Sequence, residues 1–561
     1  MRAKWEYYKI DENKIKNLQE KYKINKLLAI VLANRGIEDT KIYLEPTRYD
    51  FHNPYEMPDM EKAVNRILQA IDKKEKIIIY GDYDVDGITS ITVLKSFFKE
   101  LNIDVGYYIP NRLKEGYGLN KDAIKSIVQQ GYNLMITVDC GITAVDEVEY
   151  AKSLNLDTII TDHHEQAEEI PNAIAVVDCK RKDNKYPFRE LAGVGVAFKL
   201  CQALSQKLEL DENIYLKFLD IVAIGTISDI VPLKDENRVI TKLGMMLIKQ
   251  TKNYGLVALL NICGYRKIDS TAVSFGIAPR INACGRMGFA YEALDLLLST
   301  NMRDATEKAK NIAKYNNDRQ EYEKIIYQEA IEQIEKEHLE DQNSIVLGGD
   351  NWHHGVVGIV ASKITDLYYK PCLLLCFEDG EDIGKGSGRS VEGFDLHEAL
   401  SRCKNELEGF GGHSMAVGLS VKKEKLPELK KSFEEIASEA NIKEMQPTIT
   451  IDSVLNIDEI NKEMVQSLDL LEPYGEGNKV PIFAFKNLKI DSIRSLSEGK
   501  HIKLSLKSNN TYVNAIGFNL GYLVNEFKIG EKVDVVGNIE INSFNGTDSI
   551  QINLKDMMRT I

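Results

Sequence analysis

The chain has no run of 18 apolar residues, and its start, MRAKWEYYKIDENK, lacks the apolar core of a signal peptide. The expectation is a protein neither secreted nor embedded in a membrane. Its eight cysteines (140, 179, 201, 263, 284, 372, 376, 403) are scattered, with no Cys-x-x-Cys pair. That excludes a zinc finger and a disulfide frame and points to reduced thiols in the cytoplasm. A basic balance is also missing. Net charge is −14, which argues against a general nucleic-acid sponge but leaves room for a local basic groove beside an acidic site. Nothing suggests a coiled coil or an obligate dimer, so a monomer is expected. What is present is an ordinary globular composition, 43% hydrophobic and 28% charged, over 561 residues, too many for one core.

One stretch organises the rest: KIIIYGDYDVDGITS, residues 76–90. The apolar run 77–80 reads as a buried strand and 88–100 as a helix. Between them stand Asp82, Asp84 and Asp86. Carboxylates this close repel one another, and a divalent cation is the usual remedy. A calcium loop of the EF-hand kind needs a glutamate at its twelfth position, where this chain has Val93, and a helix before the loop, where this chain has a strand.

From about 75 to 230 strands (76–80, 104–109, 133–138, 157–161, 173–178) alternate with helices (88–100, 120–130, 144–154, 194–208). Such alternation implies a mostly parallel sheet covered on both faces, with ligands beyond the carboxyl ends of its strands. Polar residues collect at those ends: Asp82 to Asp86, then Asp139, then Asp162-His163-His164. A later helix, 216–226, leads to Asp229. Aspartate with neutral histidine suits manganese, zinc or iron better than calcium. The candidates exceed what one ion needs, whereas two ions about 3.5–4 Å apart and bridged by a carboxylate would use them. That is the usual equipment for hydrolysing phosphate esters. A second histidine beside the ligands can donate to the phosphate or the leaving group.

Asp82-Tyr83-Asp84-Val85-Asp86-Gly87, Val138-Asp139-Cys140-Gly141, Thr161-Asp162-His163-His164 and Ser228-Asp229 resemble the four motifs of the DHH phosphoesterase superfamily. Gly411 to Gly418, GGHSMAVG, resembles the glycine-rich motif of the associated DHHA1 domain. With its length and C-terminal region, the chain is similar to the single-stranded-DNA-specific exonucleases of that superfamily. Tyr80 and Asp82 stand where the superfamily's pyrophosphatases carry a histidine. The resemblance implies two manganese ions, with magnesium as the alternative. It makes Asp84, Asp86, Asp139, His163 and Asp229 ligands, with Asp139 bridging, and Asp82 a ligand or a hydrogen-bonding support. It places His164 on the scissile phosphate. It further implies single-stranded DNA as substrate, cut from the 5′ end to mononucleotides in repair and recombination. A DNA helicase and a single-strand-binding protein are the implied partners.

Several loops suit a phosphate chain. Arg112 follows a strand and can pair with phosphate, and Tyr117, flanked by glycines, can stack on a base. Arg280 and Arg286 lie in PRINACGRM, an apolar-poor, glycine-broken run whose arginines either face phosphate or pair with neighbouring acids; Arg280 is taken as the substrate contact. Residues 300–342 read as one amphipathic helix connecting two lobes, from Ile312, Tyr315, Tyr322, Ile326, Ala330 and Ile334. A solvated spacer is the simplest reading, although Asn316 and Arg319 are within reach of the cleft. In the second lobe, Ser387 and Arg389 lie in GKGSGRS, whose glycines let backbone amides approach phosphate. The resemblance groups Ser387, Arg389, His413 and the first-lobe arginine as a pocket for a 5′ phosphate. After about 447, short alternating strands and the turn Asn545-Gly546 suggest a small barrel, and the resemblance makes it an OB-fold. Its candidates for holding a strand are Phe483, Phe485, Lys486, Tyr512 and Phe544.

The expected architecture is α/β: an N-terminal extension (1–70) packing on the domain after it, a DHH parallel-sheet catalytic domain with a helical part (71–300), a connector helix (301–342), a DHHA1 α/β domain (343–442) and an OB-fold β-barrel (448–561). The rival function is a phosphoesterase for short oligonucleotides or cyclic dinucleotides, which would not need the barrel. A non-catalytic scaffold would have lost ligands, and every motif position is intact.

Overall fold

The computed structural model describes residues 3–37, 39–112, 114–378, 380–544 and 546–560; Asn545 and the side chain of Phe544 lie outside the described residues. The chain forms two compact units, one of residues 52–231 with 243–445, the other of 1–51 with 232–242 and 446–561.

The first of these begins with a five-stranded parallel sheet in the order Gly106–Tyr108, Ile77–Gly81, Leu134–Val138, Asp157–Asp162, Ala175–Asp178. Ile77–Gly81 and Leu134–Val138 are buried at every position, as a sheet covered on both faces requires. The first strand in sequence lies between the second and the third, so the winding direction reverses between Ile77–Gly81 and Leu134–Val138. That reversal opens a crevice at the carboxyl edge. The register aligns Gly81 with Val138 and Val138 with Thr161, so the next residues, Asp82, Asp139 and Asp162, emerge together.

The helix expected at 88–100 starts earlier, at Val85, because Asp84 caps it. The helix expected at 216–226 is two, Asn213–Leu216 and Leu219–Ser228. The run PRINACGRM is helical: a π-helical turn, Val273–Ile277, runs into the helix Ala278–Arg286, with Pro279 just past the junction.

The connector helix is Met302–Glu337. Beyond it lies a second five-stranded sheet in the order Gly409–Gly412, Ala416–Lys422, Ile383–Arg389, Cys372–Phe377, Ile345–Asp350. Only the last pair is parallel, joined by the helix His354–Tyr368.

In the other unit, Phe483–Leu496, His501–Ser508, Thr511–Gly517, Thr547–Arg559 and Lys532–Phe544 close into a barrel, since the first also pairs with the last. The fold class read from the sequence is therefore what forms: a parallel-sheet α/β domain, a long helix, a second α/β domain and a C-terminal barrel. The N-terminal expectation needs correction. Strand Lys4–Tyr7 pairs with Thr448–Ile451, and Leu27, Leu28 and Val31 share a core with Phe483, Phe485 and Val533 of the barrel. Residues 1–51 thus share a unit with the end of the chain, whereas 52–70 stay with the catalytic domain as expected. Helix Lys26–Asn34 is buried at six successive positions, Leu27 to Leu32, so it needs cover on all sides. Phe483 and Phe485 are core residues, 0% and 1% exposed, whereas Tyr512 is 54% exposed.

Candidate metal centre

The helix Val85–Glu100 is aimed at the crevice by its own N-cap. Asp84 Oδ1 accepts from the backbone N–H of Asp86 (2.9 Å) and of Gly87 (3.1 Å). Asp86 lies in the first turn, and both its oxygens accept backbone N–H groups from the start of helix Gly193–Lys207, Gly193 at 2.6 Å and Val194 at 2.8 Å. Only glycine fits at 193, because a Cβ there would lie 2.7 Å from Asp139 Oδ1. Asn282 also holds this loop, accepting from the Val85 N–H at 3.2 Å. Asp139 follows its strand with φ +58° and donates its N–H to Thr161 O at 3.0 Å. Asp229 caps the end of helix Leu219–Ser228.

These elements converge on His163. Its Nε2 lies 3.1 Å from Asp139 Oδ1, 3.6 Å from Asp229 Oδ2 and 3.7 Å from Asp86 Oδ2. Neither ring nitrogen of His163 has a hydrogen-bond partner among the described residues, although both are buried; the same holds for Asp82 Oδ1 and Asp229 Oδ2. Burial pushes His163 down to about 3, with the charge of His164 adding to it, so the ring is neutral and one of its nitrogens offers a lone pair. Burial, then the neighbouring carboxylates, push Asp82 and Asp139 well above the usual range, Asp86 up to about 7 and Asp229 up to about 9. Crowded acids and orphaned donor atoms are what a cation would relieve. Three triads bring ligand atoms within 4.8 Å of one another: Asp139–His163–His164, Asp86–His163–Asp229 and Asp82–Asp84–Asp139. Asp139 belongs to two of them and so lies between neighbouring positions. The groups are positioned to hold metal ions, and the oxygen-rich, imidazole-containing donor set suits manganese or magnesium.

His164 faces the same space. Burial pulls its imidazole down, but the hydrogen bond and charge of Asp162, then Asp229 and Asp86, outweigh this and hold it at about 9. Asp162 Oδ1 meets His164 Nδ1 at 2.7 Å and also accepts the His163 N–H (2.8 Å), while Oδ2 accepts the Ile142 N–H (2.9 Å). Asp162 is thus the support of the pair, a role not assigned to it from the sequence, although its place directly before two histidines is a visible signal. Tyr117 has an exposed ring, but its hydroxyl reaches in, 3.4 Å from Asp139 O and 3.5 Å from the His164 ring nitrogens.

A positive pole lies alongside. Arg112 sits 5.1 Å over the Tyr83 ring. Arg286 donates to Gly355 O at 2.9 Å, at the start of helix His354–Tyr368. Arg389 donates to Ser387 Oγ (2.8 Å) and Ser362 Oγ (3.1 Å). Burial, then the charges of Arg112, Arg389 and Arg319, push Arg286 down to about 9. Burial, then Arg112 and Lys385, push His354 down to about 4. Among the described residues, no carboxylate forms an ion pair with Arg112, Arg286 or Arg389. Both arginines of PRINACGRM are phosphate candidates in the sequence, with Arg280 taken as the substrate contact. The structure turns Arg280 back onto Gly276 O of its own helical run (2.8 Å) and towards Cys263 instead. His413 is exposed in the turn after Gly409–Gly412; its N–H donates to Ala416 O at 2.9 Å, and no hydrogen bond joins its ring to Arg389 or Ser387.

The fold and this cluster define the class. A family model described as "DHH family, N-terminal domain" matches residues 76–226, and one described as "DHHA1 domain" matches 341–439. A third, "RecJ OB domain", matches 451–556. The chain belongs to the RecJ family. It is 41% identical to the single-stranded-DNA-specific exonuclease RecJ of Bacillus subtilis (strain 168), over 99% of this chain and 71% of that protein. It is 33% identical to the protein of the same name from Haemophilus influenzae, over 94% of this chain and 95% of that one. The crystal structure of RecJ in complex with Mn2+ from Thermus thermophilus superposes with a TM-score of 0.86 at 28% identity, covering all of this chain and 80% of that one.

Proposed function

We propose that this chain is a metal-dependent exonuclease that hydrolyses single-stranded DNA from its 5′ end to mononucleotides, in DNA repair and recombination. The observation that carries the reading is two triads, Asp86–His163–Asp229 and Asp82–Asp84–Asp139, joined where His163 Nε2 lies 3.1 Å from Asp139 Oδ1, beside arginines with which no carboxylate among the described residues forms an ion pair. Family membership supplies the substrate class.

Asp84, Asp86, Asp139, His163 and Asp229 hold the ions, with Asp139 shared. Asp82 joins them as a ligand, supported by its orphaned Oδ1 and its place in a triad with Asp84 and Asp139. Bound divalent ions supply Lewis acidity and an activated water. His164, kept protonated by Asp162, donates to the scissile phosphate. Arg112, Arg286, Arg389 and Ser387 receive the terminal phosphate, and Tyr117 orients the first nucleotide. Arg280 and His413 have weaker support as substrate residues, given where their side chains lie. The barrel holds the strand through exposed Lys486 and Tyr512. The working parts are the catalytic domain (71–300), connector (301–342), DHHA1 domain (343–442) and barrel (448–561), with the extension 1–70 divided between the two units.

No helix among the described residues is long and apolar enough to cross a membrane. A cytoplasmic monomer working with a helicase and a single-strand-binding protein is the fuller reading, supported by the family and by eight free cysteines. The test is digestion of single strands labelled at either end, with manganese, magnesium or chelator. Early release of the 5′ label as mononucleotide, dependent on metal, is expected. Early release of the 3′ label, or release in chelator, contradicts the proposal.

A further inference from the structure

The connector helix carries a stripe that a spacer does not need. Its buried residues follow the helical repeat: Ala305, Ala309 and Ile312 at one end, Ile326, Ala330 and Ile334 at the other. Between them the stripe turns polar, with Asn316, Arg319 and Glu323 only 3%, 8% and 7% exposed. Apolar residues at these places would pack with less cost, since buried ions must be paired to be tolerated. Here they are paired. Arg319 donates to Asn316 Oδ1 at 2.8 Å and forms an ion pair with Glu323. Glu323 also pairs with Lys363, on helix His354–Tyr368 of the DHHA1 domain.

The polar segment lies where the helix passes from one lobe to the next. Just before it, Tyr315 stacks on Phe289 of the catalytic domain, with ring centroids 4.6 Å apart. Within it, Tyr322 meets His353, with ring centroids 5.1 Å apart. Helix His354–Tyr368, which Tyr322 and Glu323 meet at His353 and Lys363, also takes Arg286 at Gly355 O and Arg389 at Ser362 Oγ, so this part of the connector runs beside both pocket arginines. Resting on the proposed exonuclease reading, we propose that Arg319 is a further arginine of the phosphate pocket and that Glu323 is its positioning residue, holding Arg319 on the connector helix while tying that helix to Lys363. One carboxylate then fixes both the Arg319 side chain and the seat of the connector helix on the DHHA1 domain.

The test compares single strands ending in a 5′ phosphate or a 5′ hydroxyl, digested by full-length, manganese-loaded protein. Wild type is expected to favour the phosphate end. In Arg319→Lys and Glu323→Gln, the ratio of kcat/KM between the two ends should fall by about tenfold, through KM for the phosphorylated strand, as the fork geometry of Arg319 is lost or released. Lys363→Ala should move the ratio the same way by less, and since the Lys363 side chain is 54% exposed, that variant carries the test if Glu323→Gln does not fold. An unchanged ratio, or an equal loss on both ends, overturns the inference. Wild type that releases no nucleotide from either strand overturns the proposed function itself.

Discussion

Asp162 shows how one side chain prepares another for its task. It is 1% exposed and spends both oxygens on the segment that presents the two histidines. Asp162→Asn keeps the shape but removes the charge that holds His164 protonated. We expect activity to fall by about 10–100-fold, the usual cost of losing such a supporting carboxylate, and the thermal melt to fall as well, because the amide NH2 replaces an oxygen that accepts a buried backbone N–H. Initial rates and circular dichroism check this. At this scale the metal cluster was largely legible in the sequence, because aspartates and histidines after buried strands have few other uses. Arg286 was legible only as one of two candidates. It stands six positions after Arg280 on one helix, so the two point to different sides, and no helix was read there whose phase would distinguish them. Phe483 and Phe485 read as strand aromatics on either face; only the closed barrel places both inside.

Two antiparallel runs of helix connect the core to the cluster: Val85–Glu100 brings its start to the crevice and Leu219–Ser228 its end. Gly225 lets them touch. A Cβ there would lie 2.3 Å from Thr89 Oγ1, 2.7 Å from Val194 Cγ1 and 3.1 Å from Asp86 Oδ1. Gly225→Ala should cost about 1–3 kcal/mol, as overpacking does, and should weaken manganese binding because Asp86 and Asp229 are pushed apart. Thermal melts and metal titration on the same protein test both; a lower melting temperature with unchanged metal affinity would contradict the link. The strands and most helices of this region were readable from apolar runs and caps, with boundaries shifted where Asp84 starts a helix. The connector's length was also readable, but its polar middle matters only through the neighbours it meets, His353 and Lys363, and no periodicity reports those.

On the scale of the molecule, sequence order misleads at the N-terminus. Leu28 and Val31 find their cover in Phe483 and Val533, more than 400 residues away. Arg238, 1% exposed, donates to Leu471 O at 2.8 Å and stacks 4.1 Å over Tyr43, so a short internal segment, 232–242, completes the same unit. Local pattern cannot show such a three-part assembly. The catalytic half is different: its chain order, sheet order and cluster follow directly from strand–helix alternation. Its central claim is that the carboxylates and His163 form one centre for two ions, with Asp139 shared between them. The most direct measurement is the number of manganese ions bound per chain, by calorimetric titration of metal-free wild type and Asp139→Ala. Two ions are expected per wild-type chain, and in the variant the loss of at least one together with the loss of nuclease activity. A single ion in wild type, or full binding and activity in Asp139→Ala, would contradict it.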